Sequence, residues 1–214
     1  MQVESAQSTI MHSTKHVAQP RSNHSRSYNA LANLLDYPGA DWSRQIELMS
    51  AELTEEANAF AQFRAGIANL SLAELQELYT RTFDLSPVCA LEIGYHLFGE
   101  NYKRGIFLAN LRETEAPFDL GQEHQLPDYL PVLLRLLTKL ADEELRESLI
   151  GECLLPALAK MLVAFGDGEN PYRHLVEVVR ATLRAEVSVD SDEFAERAFC
   201  KRASLPVFQP AEQA

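Results

Sequence analysis

Cysteine, basic charge and long apolar runs are all scarce in this 214-residue chain, and each scarcity closes a class of function. There are three cysteines, Cys89, Cys153 and Cys200, far apart and with no C-x-x-C pair. A disulfide framework or a zinc site is therefore not expected, and a reducing compartment is. Lysine and arginine total 19 against 31 aspartates and glutamates, a formal charge of −12. No basic cluster offers the electrostatic footprint of a nucleic-acid binder. The leucine-rich run near residue 135 is broken by Arg135 and Lys139, short of a membrane span. The N-terminal stretch is basic but has no apolar core, so it does not read as a secretory signal. The expectation is a soluble cytoplasmic protein.

Catalytic signatures are missing as well. The chain has no phosphate-loop pattern, no dinucleotide fingerprint, no H-E-x-x-H and no G-x-S-x-G. His96 and Glu100 stand four apart, able to share one helix face, but two ligands make no metal site. His174 and Glu177 stand three apart, and Cys153 lies beside an apolar run, the pattern of a small core residue. Asp84 and Glu115 are isolated carboxylates. No catalytic residue, metal or cofactor is expected, and the carboxylate–histidine spacing of an all-α haem or di-iron enzyme is missing.

What is present is helical periodicity. Residues 1–26 are polar and aperiodic and read as disordered; 27–186 read as one helical domain; 187–214 read as a loose acidic tail. Apolar stripes recur at Tyr28, Leu31, Leu34 and Leu35, at Trp42, Ile46, Met49 and Leu53, and at Phe60, Phe63, Ile67 and Leu70. Ser71 and Glu74 form a capping box that opens a helix bearing Leu75, Leu78, Tyr79 and Phe83. A helix is expected near Glu100–Glu113 with Tyr102, Ile106 and Ala109 on one face, then a hinge-like loop over 114–127. Leu130, Leu133, Leu134 and Leu137 follow, with Pro131 in the first turn and Asp128 placed to cap the helix through the Leu130 amide. Asp142 caps a short helix, Pro156 begins another that ends at Gly166, and Asn170-Pro171 open the last, with Leu175, Val178, Val179, Thr182 and Leu183. No alternating strand pattern occurs. The expected fold is an all-α single-domain bundle of about eight helices.

Three segments carry a family resemblance. "LQELYTRTFDL" (75–85), "GENYKRG" (99–105) and "LPDYLP" (126–131) resemble, in order and spacing, motifs of the NarJ/TorD/DmsD family of molybdoenzyme assembly chaperones. The likeness runs from about Tyr28 to Glu186. Tyr129 stands where the family usually has His, and Gln125 where the NarJ type often has Glu. The "YHLFGENYKRG" run is closer to chaperones serving dimethylsulfide, ethylbenzene, selenate and chlorate oxidoreductases. The resemblance implies a non-catalytic cytoplasmic chaperone that binds the twin-arginine-type leader of an apo catalytic subunit. It would support insertion of the molybdenum cofactor before export or membrane attachment, with molybdenum-cofactor biosynthesis proteins as further partners. Asp84, His96, Glu100, Arg104, Pro127, Asp128 and Tyr129 are the client-binding candidates it points to. A helical scaffold with no peptide client is the other reading.

Overall fold

The computed structural model describes residues 21–52, 57–85 and 89–187. Among the described residues ten α-helices follow in order: α1 Arg21–Leu35, α2 Trp42–Glu52, α3 Ala57–Ile67, α4 Leu72–Tyr79, α5 Ile93–Phe98, α6 Tyr102–Glu115, α7 Leu130–Leu137, α8 Glu143–Ser148, α9 Leu155–Phe165 and α10 Tyr172–Glu186. No strand occurs among the described residues; one isolated antiparallel bridge joins Glu92 to Tyr129. Helix α1 begins at Arg21, inside the stretch read as aperiodic, and residues 1–20 lie outside the described residues. So does the acidic tail beyond Val187, itself buried where α10 ends.

The core is built as the stripes of α1, α3, α4, α7 and α10 predict, and as Trp42 and Met49 of α2 do, while Leu53 lies outside the described residues. Helix α1 lays Tyr28, Leu31, Leu34 and Leu35 against α7 and α2, and α10 packs on α3 and α9. An aromatic chain joins these layers: Trp42 meets Phe63, and Tyr172 meets Phe63, Tyr79 and Phe83, with centroid separations of 4.9–5.9 Å. Edge and tilted contacts of this kind add to what ring burial alone contributes. Gly66 admits the start of α10, since a Cβ there would stand 2.6 Å from Pro171 Cγ. Glu186, at the far end of α10, accepts from Tyr28 Oη and Arg146, and Arg146 also donates to Leu137 O. Four helices are thereby tied at one end of the bundle.

Two π-helical turns change the expected boundaries. Helix α4 continues through Thr80–Asp84, where Leu85 N–H donates to Thr80 O, five residues back. Thr82 and Phe83 are buried as a result, and Thr82 Oγ1 accepts from Asn170 Nδ2 at 2.8 Å. The second turn, Leu149–Leu154, joins α8 to α9 without a break, so Pro156 sits in the first turn of α9, which ends at Gly166 as read, but within one continuous helix. A proline inside an ordinary helix collides with the carbonyl four residues back, and the wider turn relieves that demand. The resulting 23-residue helix Glu143–Phe165 is long and apolar enough to cross a membrane by length and composition. Its Leu149, Ile150, Cys153, Leu154, Ala157, Leu158 and Met161 are buried, with α5 and α10 packed on it. Its buried face is part of the core.

Candidate functional site

The segment Leu126–Pro131 makes a turn into α7, and its main chain is held from across the fold. Ile93 N–H donates to Asp128 O, and Leu130 N–H to Leu91 O, each at 2.8 Å. Because Leu91 takes the Leu130 amide, Asp128 does not cap α7; Tyr129 is the N-cap residue and its side chain makes no capping bond. The predicted cap is thus corrected. The bridge at Glu92–Tyr129 supplies the acceptor that the isolated segment lacks.

Freed from capping, the Asp128 carboxylate points into the bundle and is fully buried. Its Oδ2 accepts from Gly94 N–H at 3.1 Å, from Arg104 Nε at 3.1 Å and from Arg104 Nη2 at 3.0 Å. One carboxylate therefore fastens the start of α5, the first turn of α6 and the entry to α7. Oδ1 has no protein partner among the described residues. Burial pushes the Asp128 carboxyl above the usual range, while Arg104 and the Gly94 amide pull it back. Burial likewise raises the nearby Glu92 carboxyl, with the charges of Asp128, Arg104 and Asp84 acting on it in turn.

Tyr129 faces the other way. Its hydroxyl lies 3.0 Å from that of Tyr79, and Tyr79 Oη donates to Leu35 O at 3.0 Å. The residue after Asp128 thus ties α7 to α4 and the end of α1. Pro127 is buried beside it. Nearby, Arg135 pairs with Asp36, and its Nη2 reaches Asn33 Oδ1 at 3.1 Å, locking α7 to α1.

The remaining candidates separate from this hub. His96 is half-buried on α5, its Nε2 2.6 Å from Ala90 O, and burial lowers its pKa. Glu100 is exposed in the turn after α5. Gly99 at φ 60° ends that helix, so His96 and Glu100 share no helix face, contrary to their spacing. Asp84 is exposed at the end of the α4 extension, the outward member of a motif whose Tyr79, Thr82 and Phe83 are core. His174 and Glu177 form a local pair at 2.9 Å, with Arg173 bonding the same glutamate. No His, Cys, Asp or Glu group able to hold a metal occurs among the described residues.

Two features escaped the sequence reading. Helix α5 is short and follows no clear stripe, and α6 buries Phe107, Leu111 and Glu115 rather than Tyr102, Ile106 and Ala109. Tyr102 is 75% exposed. Glu115 ends up 3% exposed with Oε1 unpartnered, and burial lifts its carboxyl to about 7. Spacing of four from Phe107 and Leu111 was the available signal.

The comparisons with known proteins agree on a single family. Residues 47–186, from α2 through α10, match the family model described as nitrate reductase delta subunit. The chain is 29% identical over 163 residues to the probable nitrate reductase molybdenum cofactor assembly chaperone NarJ of Bacillus subtilis, covering 73% of this chain and 88% of that one. It is 27% identical over 175 residues to NarJ of Escherichia coli K12, covering 78% and 72%. It is 25% identical over 159 residues to the probable chaperone NarW of the same strain, covering 74% and 68%. With helices α3 to α10 and the Asp128 hub inside the matched region, this chain belongs to the nitrate reductase delta subunit family.

Proposed function

We propose that this protein is a cytoplasmic assembly chaperone for a molybdenum-dependent oxidoreductase. It is not an enzyme. It binds the twin-arginine-type leader at the N-terminus of the apo catalytic subunit and keeps that subunit competent for molybdenum-cofactor insertion before export or membrane attachment. Molybdenum-cofactor biosynthesis proteins are the further partners of this reading. The observation that carries it is the match of residues 47–186 to the nitrate reductase delta subunit family, together with the likeness to relatives described as molybdenum cofactor assembly chaperones.

The chemistry of the chain supports the same reading. A leader presents basic residues ahead of an apolar segment, and a surface with a net charge of −12 steers such a peptide. Of the residues named from the sequence, Asp84 and Glu100 are exposed and available to meet positive charge. Asp128, Pro127 and Tyr129 act beneath that surface and the half-buried Arg104 at its edge, holding the α5, α6 and α7 ends in register. His96 is committed to the Ala90 carbonyl and contributes position more than contact.

Calorimetry with synthetic leaders tests the proposal. Leaders drawn from nitrate reductase and from dimethylsulfide-type oxidoreductases are titrated beside scrambled peptides of equal charge and hydrophobicity. At least one leader is expected to bind at micromolar strength or tighter. A result in which no leader outperforms its scrambled control rejects leader binding and leaves the helical scaffold reading.

A further inference from the structure

We propose that the open groove between Tyr37 and the outer face of α4 is the docking site of this chain's own C-terminal segment, Lys201–Phe208. The groove is a cavity of about 370 Å³, lined by Tyr37, Gln76, Glu77, Thr80, Arg81 and Leu85 among others. Its walls are fixed before anything binds. Tyr37 packs edge-on against the buried Tyr79 at 5.5 Å, and Gln76 Nε2 donates to Pro38 O at 2.8 Å. Its rim is apolar where solvent should be met: Leu85 is 74% exposed and Tyr37 55%. An open, aromatic-edged slot on a helix face is suited to an extended peptide.

The occupant is selected by reach, sequence and charge. Helix α10 ends at Glu186, which accepts from Tyr28 on α1, so the chain leaves the described fold beside α1. Leu35 lies about 10 Å further along that helix at 1.5 Å per residue, and Tyr37 follows two residues later. The stretch from Val187 to Lys201 spans up to about 45 Å when extended, well beyond what is needed. Lys201-Arg202 precede Ala203-Ser204-Leu205-Pro206-Val207-Phe208, a basic pair followed by an apolar run. Pro206 favours an extended backbone at Leu205, the conformation that aromatic grooves accept. Glu77 lines the groove, Glu74 stands exposed in the first turn of α4 and Asp84 at the end of its extension, with Arg81 as their counterweight. The basic pair therefore meets a net acidic helix.

Tethering makes weak contacts sufficient. A tether of this length gives an effective concentration on the order of 1 mM, so an intrinsic affinity of about 0.1 mM keeps the groove some nine-tenths filled. Any client segment entering the same groove must displace the tail, but docking of the tail does not depend on the chaperone reading.

The test uses the full chain with Phe208 replaced by the photo-crosslinker p-benzoylphenylalanine. Irradiation of dilute monomer is expected to join position 208 to peptides containing Tyr37 or residues 73–85. Crosslinks scattered over the surface, or formed only between two chains, overturn the proposal. As an independent arm, a labelled peptide of residues 199–210 is added to the wild type and to the full-length double variant Leu205→Asp, Phe208→Asp. The variant, its groove emptied, should bind the peptide at least tenfold more tightly than the wild type, and Leu85→Asp in that background should abolish binding. Equal binding to the wild type and the double variant, or binding that survives Leu85→Asp, rejects the groove as the tail's site. A matching circular dichroism melt confirms that each variant is folded before its binding is read.

Discussion

Arg104 brings two donors, Nε and Nη2, to the same oxygen of Asp128, at 3.1 and 3.0 Å, although the two residues are 24 apart in sequence. The aspartate is fully buried, and the arginine side chain retains 22% exposure. Such a pair is expensive to break from either side, and the two sides are not equivalent. Removing the arginine strands a buried carboxylate; removing the negative charge leaves a guanidinium that still reaches water.

Arg104→Ala should therefore destabilise the fold by about 3 kcal/mol, and Asp128→Asn by about 1–2 kcal/mol, since the amide still accepts from Gly94. The double variant should cost less than the sum. Urea denaturation of the four proteins at neutral pH measures the coupling. Additive losses would mean that the pair contributes nothing beyond its separate side chains.

Gly94 is held to glycine by this pair. A Cβ there would stand 2.6 Å from Asp128 Oδ2 and 3.1 Å from a Phe107 ring carbon. The oxygen cannot retreat without losing Arg104 and the Gly94 amide together. Gly94→Ala is expected to lower stability by about 2 kcal/mol or more through overpacking. Thermal melts should show the drop, and Gly105→Ala, with open space around it, should show none of this clash.

Glu115 supplies a pH signature. Burial raises its carboxyl from the usual 4.5 to about 7, so folding favours the protonated form. Its stabilising contribution is complete below pH 4.5 and is lost as pH rises through about 7. Glu115→Gln should match the wild type in melting temperature at pH 4.5 and exceed it at pH 8. A variant that gains nothing at pH 8 would show that the carboxylate ionises without cost in the folded state.

Leader binding should depend on salt in a particular way. Exposed charges are screened over about 8 Å at physiological ionic strength, so affinity should fall as salt rises and level off where apolar contact remains. Asp84→Asn and Glu100→Gln should flatten that dependence while leaving the melting temperature unchanged, because both side chains are exposed. Calorimetry across an ionic-strength series gives both quantities. A slope unaltered by either substitution would locate the charge recognition elsewhere.

Local features of the chain determined a great deal. Stripes at three- and four-residue spacing place α1 through α4, α7 and α10, because a helix that buries one face must repeat its apolar residues at that period. The Ser71–Glu74 box and the Asp142 cap form as read, since each needs only neighbours within one turn. Three short motifs in order were enough to indicate the family, which the match over residues 47–186 establishes.

Tertiary structure decided the rest, wherever a group had two satisfactory partners. Asp128 could have capped α7, but Leu91 came across the fold to take the Leu130 amide, and the carboxylate turned inward to Gly94 and Arg104. Pro156 could have broken a helix, but a wider turn at Leu149–Leu154 absorbed it. Tyr102 and Phe107 both offered α6 an apolar face, and packing against α5 chose the face with Phe107. Local sequence determines which residues can form a helix or a cap. Which of several possible partners a buried polar group meets depends on residues brought from elsewhere in the chain, because pairing inside the fold offsets the cost of leaving water.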